Sequence, residues 1–512
     1  MCIGPPSLFH AMGIGKHHSP GTSPLLQRAR EADKLGGVPR RLRVPRRGRI
    51  RLVLMLVALL VAWRVYDRDR ADDPTVSDET GDTASVATAD TAAAAPVAQA
   101  PSSAPAQKPP PTAAGKQHKA RHASMSFEDV TRLMRGRSPR FDSPRDVIRA
   151  DGRSLAVHYS IDTALQSYGR KLLRRYHPKY GAVAMIECAS GRVLSLVSYV
   201  NDGEPFLGHD LYCRSYFPAA SIFKIITAAG AIEKGRLTPR SEMRQVGRNH
   251  TLYTFQLEPS LKNYRTISLA KSFAYSINPV FGRIGIYVLG EEGLREYSER
   301  FGFEQTVPFE LPVDTAHVGS YDSTFGQAEV ASGFNQQTLL SPLLGALIAS
   351  AASEGGRIPR PHVVDSIIDR KRGAKTYEAE RRLWKVAVRQ STAEHLAEMM
   401  QNVVRYGTAR TSFRYVKRSH RFSGLAYGGK TGSVDKDGVG RVDWFVGFVR
   451  SNTDERKRLA IGVVTVHGPY WTVHSSFVAA EMLRHYMREL EQRDEQQAVA
   501  LRASQAEEGN DG

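Results

Sequence analysis

The chain has 512 residues, enough for two or three domains, and 41% of them are apolar, enough for a sizeable core. A formal charge of +19 points first to nucleic acid or a membrane surface. Its distribution excludes nucleic acid: residues 1–51 hold eleven Lys/Arg against two acids, so +9 of the excess sits at one end.

At that end "RRLRVPRRGRIR" (40–51) runs straight into the apolar "LVLMLVALLVAW" (52–63), which Arg64 closes. A basic block before an apolar run is the positive-inside pattern of a membrane anchor. A spanning helix needs about 20 apolar residues; Ile50, Val65 and Tyr66 extend the run toward that length, with Arg51 and Arg64 snorkelling outward. The nearest small-residue cleavage pattern, Ala98-Gln99-Ala100, stands too far downstream for a cleaved leader. The expectation is a basic cytoplasmic tail (1–49), an uncleaved signal anchor forming one N-terminal membrane helix (50–66), and everything beyond it outside the membrane.

Residues 67–123, rich in Ala, Thr, Pro and Asp, cannot bury enough surface to offset chain entropy and read as a flexible linker. A short juxta-domain segment (124–153) leads into globular sequence over 154–490, and a polar tail (491–512) follows. "SLAVHYS" (154–160) alternates like a strand, and 162–177 reads as an amphipathic helix capped by Asp162. Residues 180–200 form two β-rich runs around Ala189-Ser190-Gly191, a hairpin signal. Helical patterns dominate from there to about residue 405. Strand-like 423–434, 443–450 and 459–467 precede a last helix over 474–493. Strands at both ends with helices between them predict an α/β fold of the α+β type, with one mixed or antiparallel sheet assembled from distant strands. Cys188 and Cys213 would lie where a disulfide is permitted, and their pairing stays open.

"PAASIFKIITAAGAI" (218–232) is apolar apart from one charge, Lys224. Ser221, in the predicted first turn of a helix, shares its face. Desolvation there disfavours the ammonium form and makes a neutral amine available as a base, and serine beside such an amine is an activated nucleophile. Alone the spacing is weak, because Ser268-Leu269-Ala270-Lys271 repeats it. "AYSINPVF" (274–281) sets Ser276 and Asn278 two apart before Pro279, able to aim a hydroxyl and an amide at one point. "GGKTGS" (428–433) places Lys430 and Thr431 for a carboxylate, Gly432 for close backbone approach, and the Ser433 N–H for an oxyanion.

In the order S-x-x-K, S-x-N, K-T-G, these motifs resemble those of the penicillin-recognising serine acyl transferases, specifically the transpeptidase domain of penicillin-binding proteins. The similarity covers roughly 154–485 and extends to "VHYSIDTALQ", "GAVAMIECASGRVLSLVS", "NVVRYGTAR" and "DWFVGFV". It implies a β-lactamase/transpeptidase-like fold: a central, mainly antiparallel sheet flanked by helices, with an all-helical subdomain. It also implies a D,D-transpeptidase of the bacterial cell membrane that crosslinks peptidoglycan stem peptides and is acylated by β-lactams. In that family pattern Ser221 is the nucleophile and Lys224 its base. Ser276 carries a proton toward the leaving amine with Lys224 or Lys430. Asn278 holds the substrate amide, Lys430 and Thr431 its carboxylate, and the N–H groups of Ser221 and Ser433 the oxyanion. No metal or other cofactor is implied. Ala220 stands where the family usually has Gly, and Ser433 where Thr is commoner. The space before the catalytic domain holds no glycosyltransferase or pedestal module, which implies a stand-alone transpeptidase with a separate glycosyltransferase partner. A hydrolytic reading, D,D-carboxypeptidase or β-lactamase, and a non-catalytic sensor or scaffold are the alternatives.

Overall fold

The structure, a computed structural model, describes residues 124–508; the predicted tail, anchor and linker lie outside the described residues. Among the described residues no helix is long and apolar enough to cross a membrane.

Helix α1 (Phe127–Met134) opens the fold with a reciprocal cap between Ser126 and Asp129, and buries Val130 and Met134. Strands β1 (Arg145–Ala150) and β2 (Arg153–Tyr159) then pair antiparallel. Helix α2 (Thr163–Tyr176) starts where the Asp162 carboxylate accepts the Leu165 N–H at 3.0 Å, a cap of the kind that contributes about 1 kcal/mol. Strands β3 (Tyr180–Glu187) and β4 (Val193–Val200) form the expected hairpin. A largely helical region follows, containing α3 (Lys224–Glu233), α4 (Asn278–Ile284), α5 (Thr324–Ser332) and α6 (Pro342–Ser353). Strands β5 (Val364–Asp369) and β6 (Ala374–Glu378) come next, then helix α7 (Gln390–Arg405). Strands β7 (Ala426–Lys436), β8 (Gly440–Arg450) and β9 (Leu459–His467) precede helix α8 (Ser475–Glu508).

The central sheet has the order β7-β8-β9-β3-β4 and is antiparallel throughout. Its two faces are set by glycines at close approaches. On one face, a methyl on Gly169 of α2 would meet Val197 and Met482 at 3.0–3.1 Å, so α2, α8 and the sheet are in tight contact. On the other, a methyl on Gly462 would lie 2.1 Å from the Pro342 carbonyl oxygen, which only a bare backbone allows. Every residue of α6 is buried there.

One expectation is corrected. Helices dominate up to residue 405, but β5 and β6 interrupt them and join β1 and β2 in a second antiparallel sheet of order β1-β2-β5-β6. Short strands broken by bulges, such as β5 with buried and half-buried positions mixed out of alternation, carry little period-2 signal. There are therefore two substantial sheets rather than one. Segment 124–153 supplies a helix and a strand to this second sheet's neighbourhood, and α8 continues through most of the polar tail. Cys188 and Cys213 are buried free thiols.

Candidate active site

Ser221 is held from two sides. The two-residue strand Phe217–Pro218 pairs with Leu339–Leu340, and the buried Trp444 indole N–H donates to the Pro218 carbonyl at 2.7 Å. The chain then turns through Ala220, whose φ of +50° lies in the left-handed region. That reversal makes the first turn, Ala220–Phe223, a tight 3-10 turn, so Ser221 precedes α3 instead of opening it, and α3 begins at Lys224. A left-handed alanine costs about 1–2 kcal/mol, more than the about 0.8 kcal/mol of its buried methyl. Ala220→Gly is therefore expected to raise stability by a few tenths to about 1 kcal/mol, read from the denaturation midpoint, with Ser221 still reactive.

Lys224 is fully buried, and its ammonium nitrogen reaches Ser221 Oγ at 2.7 Å, Asn278 Oδ1 at 2.7 Å and the Ser332 carbonyl at 2.5 Å. No carboxylate joins this set. Burial pushes its pKa well down, and the nearby positive charge of Lys430 pushes the same way. Lys430, also fully buried, donates to Ser276 Oγ at 2.9 Å and to the Thr431 carbonyl at 2.8 Å. Burial alone lowers it, to about 7. Burial thus favours a neutral amine beside Ser221 and eases proton loss from the amine beside Ser276.

Ser276 is itself left-handed, φ +57°, which turns its hydroxyl toward Lys430. Asn278, two residues on, opens α4 beside Pro279 and donates its main-chain N–H to the Asn249 carbonyl at 2.7 Å. Alternation along β7 sends Lys430 and Gly432 to one face and Thr431 and Ser433 to the other. A methyl on Gly432 would stand 3.1 Å from the Ser221 nitrogen, so the strand passes directly beside the nucleophile's N–H. The Thr431 hydroxyl meets that of Thr408 at 2.5 Å, and Ser433 Oγ donates to Asp443 at 3.1 Å. A cleft of about 1120 Å³ is lined by Ser221, Ser276, Asn278, Thr431, Gly432 and Ser433. All eight residues singled out from sequence converge here, six on the cleft wall and both lysines directly behind it.

Residues 181–488 match the family model described as the penicillin binding protein transpeptidase domain. The chain belongs to that family. Relatives of this chain include a peptidoglycan D,D-transpeptidase, PbpA, of Mycobacterium tuberculosis, 27% identical over 247 residues that make up 42% of this chain and 50% of the relative. Stage V sporulation protein D of Bacillus subtilis is 23% identical, over 65% of this chain and 53% of that protein. The chain thus spans about half the length of the curated relatives it matches. Among solved structures, the D,D-transpeptidase domain of a peptidoglycan glycosyltransferase from Eggerthella lenta superposes with a TM-score of 0.54 at 21% identity, covering 65% of this chain and 83% of that one. An imipenem acyl-enzyme complex of penicillin-binding protein A from M. tuberculosis gives 0.52 at 20% identity, covering 64% and 79%. The β-lactamase-like fold expected of a transpeptidase domain is the fold observed.

The repeated spacing Ser268–Lys271 has an ordinary explanation in this chain. The Ser268 hydroxyl accepts the Lys271 N–H at 3.2 Å as a helix cap, and Lys271 is exposed. Four contributors escaped the sequence reading. Asp443 accepts from Ser433 and from the Ser475 N–H at 2.7 Å, tying β7 to the start of α8. The Ser332 carbonyl holds Lys224, and Thr408 meets Thr431. Glu329 lines the cleft without a side-chain partner, its pKa raised by burial. None lies in the three motifs; only the segments "NVVRYGTAR", which contains Thr408, and "DWFVGFV", which opens on Asp443, carried any signal.

Proposed function

We propose that this chain is a peptidoglycan D,D-transpeptidase that crosslinks stem peptides through an acyl-enzyme on Ser221. The observation that carries it is the 2.7 Å contact between Ser221 Oγ and a buried Lys224 with no acidic partner. Neutral Lys224 takes the hydroxyl proton as Oγ adds to the penultimate D-Ala carbonyl. The developing oxyanion faces the N–H groups of Ser221 and Ser433. As the C–N bond breaks, Ser276 passes a proton, replenished from Lys224 or Lys430, to the departing D-Ala amine. The acyl ester on Ser221 is then attacked by an amine of a second stem peptide, whose proton returns through Lys224 to Oγ. Asn278 holds the donor amide, while Lys430 and Thr431 hold its terminal carboxylate. Gly432 leaves the space that lets the donor lie against β7.

The same site accounts for acylation by β-lactams, whose ring carbonyl and carboxylate match the donor's. The basic block and apolar run over 40–66 support a single-pass anchor with a cytoplasmic N-terminus and a catalytic domain outside the inner membrane. A membrane-bound glycosyltransferase would supply the glycan strands. Incubation with a donor stem pentapeptide and an amine-bearing acceptor peptide tests the reading. Crosslinked dimer with release of D-Ala is expected, and release of D-Ala without dimer would replace the reading by a carboxypeptidase.

A further inference from the structure

From Arg236 to Lys271 the chain carries seven Lys/Arg against two acids, Glu242 and Glu258. All seven are exposed. Among the described residues none of them forms an ion pair, although Lys234 just before them pairs with Glu292 at 3.8 Å. Arg265 donates instead to neutral acceptors, Gln245 Oε1 and Asn249 Oδ1, each at 3.1 Å. Aromatic rings are interleaved with these charges. Arg244 lies 4.8 Å over the Tyr264 ring, and Tyr253 stacks on Phe255 with both more than half exposed.

Three of the seven, Arg240, Arg265 and Lys271, line a groove of about 640 Å³ whose wall also includes Glu242 and Tyr275. It stands back to back with the catalytic cleft. Asn249, Tyr275 and Ile277 line the groove, while their chain neighbours His250, Ser276 and Asn278 line the cleft. Successive residues of the S-x-N segment therefore line the groove and the cleft by turns.

We propose that this groove binds a carboxylate-bearing glycan strand, the polymer to which the donor stem peptide is attached. The inference rests on the function proposed above. The Arg240 and Arg265 forks and Lys271 match the free carboxylates of stem peptides along the strand, and the Tyr275 ring can cover a sugar ring. A concave floor with Glu242 in its wall suits a narrow strand and not a planar lipid surface. The groove gives the enzyme a grip on polymer that a free peptide does not provide.

The test measures binding of soluble peptidoglycan strands to the full chain in detergent. Strands with free carboxylates are compared with strands whose carboxylates have been amidated. Free strands are expected to bind at least about tenfold more tightly, an advantage that fades as ionic strength rises. Arg240→Ser combined with Lys271→Ser is expected to weaken binding of free strands about tenfold, and penicillin labelling of the same variant reports that the fold is intact. Equal affinity of the wild-type protein for amidated and free strands would overturn the proposal. Because the basic residues 40–51 also attract carboxylates, the double variant localises the binding, and unchanged affinity of that variant would overturn the proposal too. Loss of penicillin labelling in the wild-type chain would instead strike the acyl-enzyme reading, so the two failures are distinguishable.

Discussion

Lys224→Met is expected to slow acylation of Ser221 by a penicillin about a thousandfold while leaving the protein folded. The substitution keeps most of the length of the side chain in a fully buried place beside the Phe281 ring. It removes the one amine within reach of Ser221 Oγ. General-base help contributes about 10²–10⁴ in rate, so the effect dwarfs any change in packing. It also frees the Ser332 carbonyl and Asn278 Oδ1 of a buried donor, at about 1–3 kcal/mol, partly offset by no longer burying an amine. The pH profile separates a base from a structural prop. In the wild-type protein the second-order acylation constant should rise as Lys224 loses its proton. It should fall above about pH 7, where Lys430 becomes neutral and no longer attracts the penicillin carboxylate. Lys224→Met should abolish the acidic limb and keep the alkaline one; Lys430→Met should do the reverse. Identical profiles in all three proteins would remove both lysines from the mechanism.

Gly333→Ala is the second large effect, and it acts from outside the motifs. Gly333 ends α5 in the left-handed region, φ +64°. A methyl there would lie 1.8 Å from the Ala220 carbonyl oxygen and 3.0 Å from the Ser221 nitrogen. Both are main-chain atoms, so no side chain can rotate away. The expected cost is about 3 kcal/mol in stability, with the nucleophile's turn displaced and acylation lost beyond what unfolding explains. Gly373 is the control: its φ is +64°, but a methyl there meets nothing within 4 Å, so Gly373→Ala should cost only about 1 kcal/mol. Equal losses at the two sites, measured by denaturation, would mean that backbone conformation and not the contact with the nucleophile's turn sets the penalty.

What could be read in the sequence, and what could not, divides along physical lines. Strands of the central sheet carry long apolar or alternating runs; β9 has all nine residues buried, and its expected and observed bounds coincide at 459–467. The Asp162 cap was legible because an N-cap acts within three residues. The second sheet was not, since β5 has mixed exposure and its pairing with β2 spans more than two hundred residues. Motif residues could be listed from spacing, and a lysine in an apolar run announced its own desolvation. The partners that hold them could not be listed. The Ser332 carbonyl is a main-chain atom that any residue would supply, and Asp443 reaches Ser433 through strand register. The expected α-helical start at Ser221 differed for a similar reason. Ala220 has no composition signal for left-handed backbone, yet contacts from Gly432, Gly333 and Trp444 around it impose that conformation.

One measurement bears most directly on the claim that Ser221 is an acylated nucleophile: peptide mapping by mass spectrometry after exposure of the full chain to penicillin. A single adduct on the peptide carrying Ser221, absent from Ser221→Ala, is the predicted result. An adduct that survives in Ser221→Ala, or none on the folded wild-type protein, would contradict it.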